Sequence, residues 1–90
     1  MSAWDDSHWV QGYTAVINNV FTGGGSSWID FSHELGRVGW RRIWADTDAE
    51  RSNILAVATA AMGTGKRLQY RATNAGGPNN LAQITALQTV

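Results

Sequence analysis

Hydrophobic and polar positions alternate with a period of two through most of this chain, in stretches separated by glycine-rich segments. Successive side chains of a β-strand point to opposite faces of a sheet, so this pattern predicts strands. In the clearest stretch, Leu68, Tyr70 and Ala72 alternate with basic and amide side chains. The predicted strands are 9–21, 28–32, 40–45, 66–73 and 81–90. The predicted turns are 23–27, 34–39 and 74–80.

The period changes to that of a helix after the third predicted strand. Thr47 and Glu50 have the spacing of a capping box, in which each side chain accepts from the other residue's backbone N–H. Apolar residues then recur at helical spacing, at Ile54, Leu55, Ala58, Ala61 and Met62. Gly63 and Gly65 can supply the left-handed residue that ends a helix. We therefore predict a helix over about 48–62.

The element order is therefore β-β-β-α-β-β, with the helix between the third and fourth strands. That order is the order of the OB-fold barrel, and it predicts a β-rich α+β fold with a small OB-like barrel. The length of 90 residues suits one domain. Residues 1–8 are polar apart from Trp4 and are predicted to be a loose tail, which leaves 9–90 as the domain.

Cysteine is absent from the chain, which excludes disulfides and cysteine-based metal sites. A domain this small has a thin core, and it is usually reinforced by a disulfide, a metal or a partner subunit. The composition therefore leaves two routes to stability, a well-packed monomer or an oligomer.

The second half of the predicted helix lacks the polar face that a solvated helix should show. Small apolar residues, Ala56, Val57 and Ala60, occupy positions where polar side chains are expected. Small side chains allow another surface to approach closely, so these three residues are candidates for an oligomer interface. The alternative is an alanine-rich helix whose exposed alanines simply favour helicity.

Five tryptophans in 90 residues are several times the ordinary usage. If Ile29, Phe31 and Ile43 face the core, alternation places three of the indoles on the opposite face, with an acid and a base between them. The candidate ligand-binding residues are Trp28, Asp30, Trp40, Arg42 and Trp44. Such a surface suits sugar binding, since flat rings stack on pyranose faces while polar neighbours bind hydroxyls. It also suits a subunit interface, and a reversed assignment of the faces would make these residues core.

Several short segments resemble a known bacterial family. They are Gly-Trp-Arg-Arg-Ile at 39–43, Ala-Asp-Thr at 45–47, Asn-Ile-Leu-Ala at 53–56, Ala-Ala-Met at 60–62 and Thr-Gly-Lys at 64–66. The run resembles small bacterial OB-fold proteins of the kind that form the receptor-binding B subunits of AB-type toxins, and the resemblance covers about 10–90. It implies a homo-oligomeric ring, often a pentamer, that binds cell-surface glycans as a lectin does. Many such subunits carry a leader and a disulfide, which this sequence lacks, and no sugar-binding motif of the family can be placed here.

Charge and chemistry narrow the remaining functions. Seven basic and seven acidic residues cancel, so no long-range attraction draws the chain to nucleic acid or to an anionic membrane. Tryptophans on an OB face could stack single-stranded nucleic acid, an alternative that the charge balance disfavours. The apolar stretch 54–62 is too short to span a bilayer. The first residues lack the pattern of a signal peptide, so the sequence suits the cytoplasm as it stands, or secretion if a leader has been removed.

The sequence favours a non-catalytic binding module over an enzyme. His8 and His33 are isolated, and no motif suggests a catalytic site, a metal site or a cofactor. The leading hypothesis is a ring-forming glycan-binding protein, and the main alternative is a structural or scaffold oligomer with no small ligand.

Overall fold

A computed structural model describes residues 3–90, and an antiparallel sheet forms most of it. The strands are β1 (Ser7–Trp9), β2 (Ala15–Gly23), β3 (Ser26–His33), β4 (Gly36–Arg42), β5 (Arg67–Thr73) and β6 (Ile84–Thr89). Helix α1 (Asp48–Thr64) connects β4 to β5, and a short 3₁₀ turn (Pro78–Asn80) precedes β6. The protein is thus small and β-rich with one α-helix in the described residues, and the helix lies between the strands where the sequence predicts it.

The sheet curls until its two ends approach each other. Its pairing order is β1-β5-β2-β3-β4, and β6 pairs with β5. Ile43, just after β4, forms an isolated parallel bridge with Ile84 at the start of β6. The N–H of Trp44 donates to the carbonyl oxygen of Ile84 over 2.9 Å. The result is a barrel-like sheet whose seam, between β4 and β6, is closed by this single bridge.

The predicted first strand and the predicted tail both differ from the structure. The stretch predicted as one strand over 9–21 is divided into β1 and β2, and Gly12 in the gap has φ 83°, outside the strand region. β1 begins inside the predicted tail and pairs with β5, with Ser7 opposite Thr73. Ala3 is buried as well. Of the predicted tail, residues 1–2 lie outside the described part, and the rest is folded against the sheet.

Glycines explain why two other boundaries moved. Gly24 and Gly25 both have positive φ, as a tight two-residue hairpin between β2 and β3 requires. Gly36 and Gly39 fall in the predicted turn 34–39, yet both lie within β4. Their φ values of 122° and 98° accompany a register shift opposite Phe31 and Ser32. The glycines therefore serve an irregular strand, because a β-bulge uses the same backbone freedom as a turn.

The core lies between the inner face of the sheet and the helix. Its members are Ala15, Ile17, Ile29, Phe31, Ile43, Ala58, Ala61, Leu68, Tyr70, Ala72 and Ile84. The prediction that Ile29, Phe31 and Ile43 face the core is confirmed. The rings of Phe31 and Tyr70 meet edge to face at 5.1 Å. Burying an aliphatic or aromatic side chain of this size contributes about 1.5–3 kcal/mol.

Local signals fix both ends of α1. The hydroxyl of Thr47 accepts from the N–H of Glu50 at 3.1 Å, as the capping spacing predicts. Gly65 takes the left-handed conformation with φ 69°, and its N–H donates to Ala61. The helix extends two residues beyond its predicted end, to Thr64. In residues 3–90, no helix combines the length and hydropathy needed to cross a lipid bilayer.

A polar clamp joins three elements at one edge of the sheet. The Glu34 carboxylate accepts from the N–H and the hydroxyl of Thr14, both at 2.8 Å. The guanidinium of Arg67 lies 3.4 Å from the same carboxylate and donates to the Thr14 hydroxyl at 2.6 Å. The clamp therefore ties the β3–β4 turn to the start of β2 and the start of β5.

Candidate functional site

Four of the five predicted ligand-binding residues share the outer face of β3 and β4. Trp28 lies opposite Arg42, and Asp30 lies opposite Trp40, in antiparallel register. Trp44 lies beyond the end of β4 and lines a separate cleft. The sequence therefore placed two indoles correctly on one face, but that face does not include the third.

The polar side chains on this outer face already have protein partners. The Asp30 carboxylate accepts two hydrogen bonds from the Arg37 guanidinium, at 3.1 and 2.9 Å. Asp30 raises the pKa of Arg37 through these hydrogen bonds and through its charge. The Nε–H of Arg42 donates to the Gln83 side chain at 2.8 Å. A sugar hydroxyl would have to compete with these bonds, which weakens the case for a ligand site here.

The outer face instead presents an aromatic patch, formed by Phe21, Trp28 and Trp40. Phe21 lies opposite Trp28 in the β2–β3 register and is 54% exposed. The three rings line a shallow depression of about 380 Å³. Aromatic side chains gathered on a solvent-facing sheet make this patch a candidate contact surface.

A larger cleft of about 420 Å³ opens between the N-terminal segment, α1 and β6. Its apolar walls include Trp4, Trp44, Ile54, Val57 and Leu87. Four polar side chains line it too, those of Asp46, Glu50, Asn53 and Thr85. We call this site the tryptophan cleft. It combines two indoles with carboxylate and amide groups in one concave surface, which is the usual composition of a small-ligand site.

The N-terminal segment is held at the cleft from both sides. The N–H of Ala3 donates to the Asp46 carboxylate at 2.7 Å. The Arg71 guanidinium donates to the Ser7 hydroxyl at 2.7 Å, and to the carbonyl oxygens of Trp4 and Ser7 at 3.2 and 2.9 Å. The same guanidinium lies 3.7 Å from the centroid of the Trp4 ring. These contacts hold the Trp4 side chain in place, although it is 48% exposed.

The Glu50 side chain lies at the tryptophan cleft and does not complete the capping box. The forward capping bond from its N–H to Thr47 is present. The reciprocal bond, from the Thr47 N–H to the Glu50 carboxylate, is absent among the hydrogen bonds of residues 3–90. The side chain lines the tryptophan cleft instead. A carboxylate freed from the cap can accept hydrogen bonds from a ligand's hydroxyl groups.

The three predicted interface residues occupy two different faces of α1. Ala56 and Ala60 are exposed, one turn apart, and form the solvent-facing side of the helix together with Ser52. Val57 is half-buried and lines the tryptophan cleft. The small outward face exists as predicted, and Val57 belongs to the neighbouring cleft rather than to that face.

Sequence reasoning missed most of the cleft. The sequence predicts a loose tail around Trp4 and a helix-capping position for Glu50, and it does not place Asp46 at a site. One local feature indicated packing of this segment, because a large apolar side chain such as that of Trp4 in a polar segment usually contacts the rest of the protein. Its partners, however, lie far along the chain, at Asp46 and Arg71.

The described part of the chain brings together no group of three or more histidine, aspartate or glutamate side chains that could hold a metal ion. Comparisons with protein-family models, with curated proteins and with solved structures found no match to this chain.

Proposed function

We propose that this chain is a glycan-binding protomer of a homo-oligomeric ring, with an OB-like barrel that resembles the B subunits of AB-type toxins. Five longer strands, β2 to β6, with a helix between the third and fourth of them, support the OB-like assignment. The parallel bridge between Ile43 and Ile84 supports it as well, since it brings the two ends of the curled sheet together.

The tryptophan cleft is the observation that carries the glycan proposal. Indole faces suit the C–H faces of a pyranose, and the Glu50 and Asn53 side chains supply acceptors and donors for its hydroxyls. The cleft is open and moderate in size, so one site would hold only one or two sugar units. Weak sites of this kind gain affinity when several are presented together, which is the purpose of a ring.

Two surfaces support assembly. The outward face of α1, at Ala56 and Ala60, allows close approach of a neighbouring subunit. The aromatic patch of Phe21, Trp28 and Trp40 supplies the apolar area and the tryptophans that anchor interfaces. When one patch of each protomer contacts a different patch of the next protomer, the subunits form a closed ring if the rotation between neighbours divides a full turn evenly.

A glycan array probed with the labelled protein tests the binding proposal. We expect the wild-type protein to bind, and both Trp4→Ala and Glu50→Gln to bind at least tenfold more weakly, the loss expected for a charge-assisted hydrogen bond or an aromatic stack. Asp48→Asn is the matched control, because this exposed carboxylate lies in the same first turn of α1 but outside the cleft. A correctly assembled protein that binds no glycan would overturn the proposal.

A scaffold oligomer without a small ligand is the second candidate, and the aromatic patch favours it. The solution mass by light scattering after size exclusion separates the possibilities. A multiple of the 9.8 kDa chain that is lost in Ala60→Glu and kept in Ala60→Ser supports assembly through α1. Assembly without glycan binding favours the scaffold, and a monomeric wild-type protein contradicts both candidates.

A further inference from the structure

A second cavity, of about 290 Å³, opens at the seam of the curled sheet. No residue of α1 lines it, so it is distinct from the tryptophan cleft. Its apolar walls include Phe31, Val38, Tyr70 and Ile84, three of which are core residues. Burial raises the pKa of the Tyr70 hydroxyl, which therefore stays neutral. We call this site the seam cavity.

Arg41 is an arginine on the inner face of β4. It lies opposite Ile29, a fully buried residue, so alternation directs it inward while Trp40 and Arg42 point outward. The guanidinium lies 3.8 Å from where a Cβ at Gly39 would be, an ordinary contact distance. The side chain is half-buried and lines the seam cavity.

No carboxylate in residues 3–90 forms an ion pair with Arg41, whereas Arg37, Arg51 and Arg67 each have one. Its one hydrogen bond runs from Nη1 to the Trp40 carbonyl at 2.9 Å. Most of the five N–H donors of a guanidinium are therefore unused. A partly desolvated cation beside apolar walls lowers stability unless a counter-charge offsets it.

The remaining polar residues of the seam cavity are donors rather than acids. The His33 Nδ1 accepts from the Leu35 N–H at 3.1 Å, which leaves Nε2 as the protonated, donating nitrogen. Its ring is held by stacking on Tyr13 at 4.7 Å. His8, Thr73 and Asn74 are the other polar residues of the lining, and no acidic residue lines the cavity. Asp5 and Asp6 line an adjoining depression that shares His8 and Asn74. The Glu34 carboxylate acts on the Tyr70 hydroxyl through its charge, but it is already bound by Thr14 and Arg67.

We propose that the seam cavity binds a small organic carboxylate whose apolar or aromatic body packs against Phe31, Val38 and Tyr70. The planar guanidinium fork of Arg41 matches a carboxylate in a bidentate pair. The cavity holds one fixed positive charge, which suits a monoanion better than a doubly charged phosphate. Its volume lies at the lower end of small-molecule sites, so it suits a single small ligand and not a polymer.

Titration with benzoate, followed by amide and arginine Nε–H chemical shifts, tests the proposal. We expect saturable shifts at Arg41 and at the amides of Phe31 and Val38. Benzamide, which has the same ring and no charge, should produce none of them. An absence of saturable shifts with benzoate, or equal shifts with benzamide, would overturn the proposal.

Two substitutions assign the effect to Arg41. We expect Arg41→Gln to weaken benzoate binding at least about tenfold, the loss of a charge-assisted hydrogen bond, and Arg41→Lys to retain part of it. Lys66→Gln removes the same charge from an exposed position outside the cavity and should bind as the wild type does. Unchanged binding by a folded Arg41→Gln protein, or an equal loss in Lys66→Gln, contradicts a site on Arg41. Neither result bears on the glycan array, which reports on the tryptophan cleft.

Discussion

The guanidinium of Arg71 lies 3.7 Å from the centre of the Trp4 indole and also donates to the Trp4 carbonyl oxygen. One side chain of β5 therefore sets both the backbone and the ring of a residue far away in sequence. It links β5 to the N-terminal segment that forms one wall of the tryptophan cleft.

Replacing this arginine should release the N-terminal segment without unfolding the sheet. We expect Arg71→Met to keep the strand pairing, because the backbone of Arg71 pairs with Ala86 and Trp9 regardless of side chain. The lost stacking and charge-assisted hydrogen bonds together amount to about 2–3 kcal/mol. Hydrogen exchange of the N-terminal peptide, measured by mass spectrometry, should accelerate, while β5 and β6 remain protected. Exchange equal to that of the wild type would show that other contacts hold Trp4.

Glu34 should make the free energy of unfolding depend on pH in the acidic range. The N–H and the hydroxyl of Thr14, with a smaller contribution from Arg67, lower the pKa of Glu34 to about 2 from an ordinary value of 4.5. The native state therefore holds the carboxylate ionised where the unfolded chain takes up a proton. Its contribution to stability is complete above pH 4.5 and is lost as the pH falls towards 2.

Urea unfolding at several pH values measures this contribution. We expect the free energy of unfolding of the wild-type protein to decline between pH 4.5 and 2, and Glu34→Gln to decline less over the same range. Glu50→Gln is the comparison, since Glu50 lies outside the Thr14–Arg67 clamp. If the free energy of unfolding of Glu34→Gln varies with pH as that of the wild-type protein does, the clamp does not contribute to the loss of stability in acid.

Gly77, in the loop before β6, lies at a position with no space for a side chain. A Cβ at this position would lie 2.6 Å from the carbonyl oxygen of Leu81 and 2.6 Å from the Gln83 side chain. We expect Gly77→Ala to destabilise the protein by about 1–3 kcal/mol through backbone displacement, and to disturb the bond between Gln83 and Arg42. Thermal unfolding measures the change. Gly63→Ala is the control, because its Cβ would meet nothing within 4 Å in a helix, and it should be neutral or stabilising.

Ala58 fixes the distance between α1 and the sheet. Its side chain is 0% exposed, so a larger residue has no space. We expect Ala58→Leu to cost about 1–3 kcal/mol by overpacking, and Ala49→Leu, on the exposed first turn, to change little. Denaturant unfolding of the two variants provides the comparison, and equal stabilities would mean that the helix can move outward freely.

The parts of the fold that could be predicted from sequence rest on short-range signals. The caps at Thr47 and Gly65 and the inward positions of Ile29 and Phe31 depend on neighbours a few residues away, and the structure confirms them. The cleft depends on hydrogen bonds from Ala3 to Asp46 and from Arg71 to Trp4. These bonds join residues that are 43 and 67 positions apart in the chain. Nothing in the local pattern indicates such pairings.

The irregular strand β4 shows a different limit. Its glycines produced a turn signal, although the real turn is confined to Glu34 and Leu35. Strand alternation likewise predicts that Asp30 and Trp40 share a face. It does not predict the ion pair between Arg37 and the Asp30 carboxylate. Shared faces follow from alternation, whereas the choice among several nearby arginines depends on the exact bend of the strand.

The single bridge at the seam also leaves β4 as an edge strand. An edge with unpaired backbone groups invites further strands to add, and runaway addition leads to fibrils. β4 carries three arginines, Arg37, Arg41 and Arg42, among its seven residues. A second copy that approached edge to edge in antiparallel fashion would bring these like charges together, which disfavours the pairing. The strand at the open edge of the sheet is thus also the strand whose charges disfavour edge-to-edge pairing with a second copy.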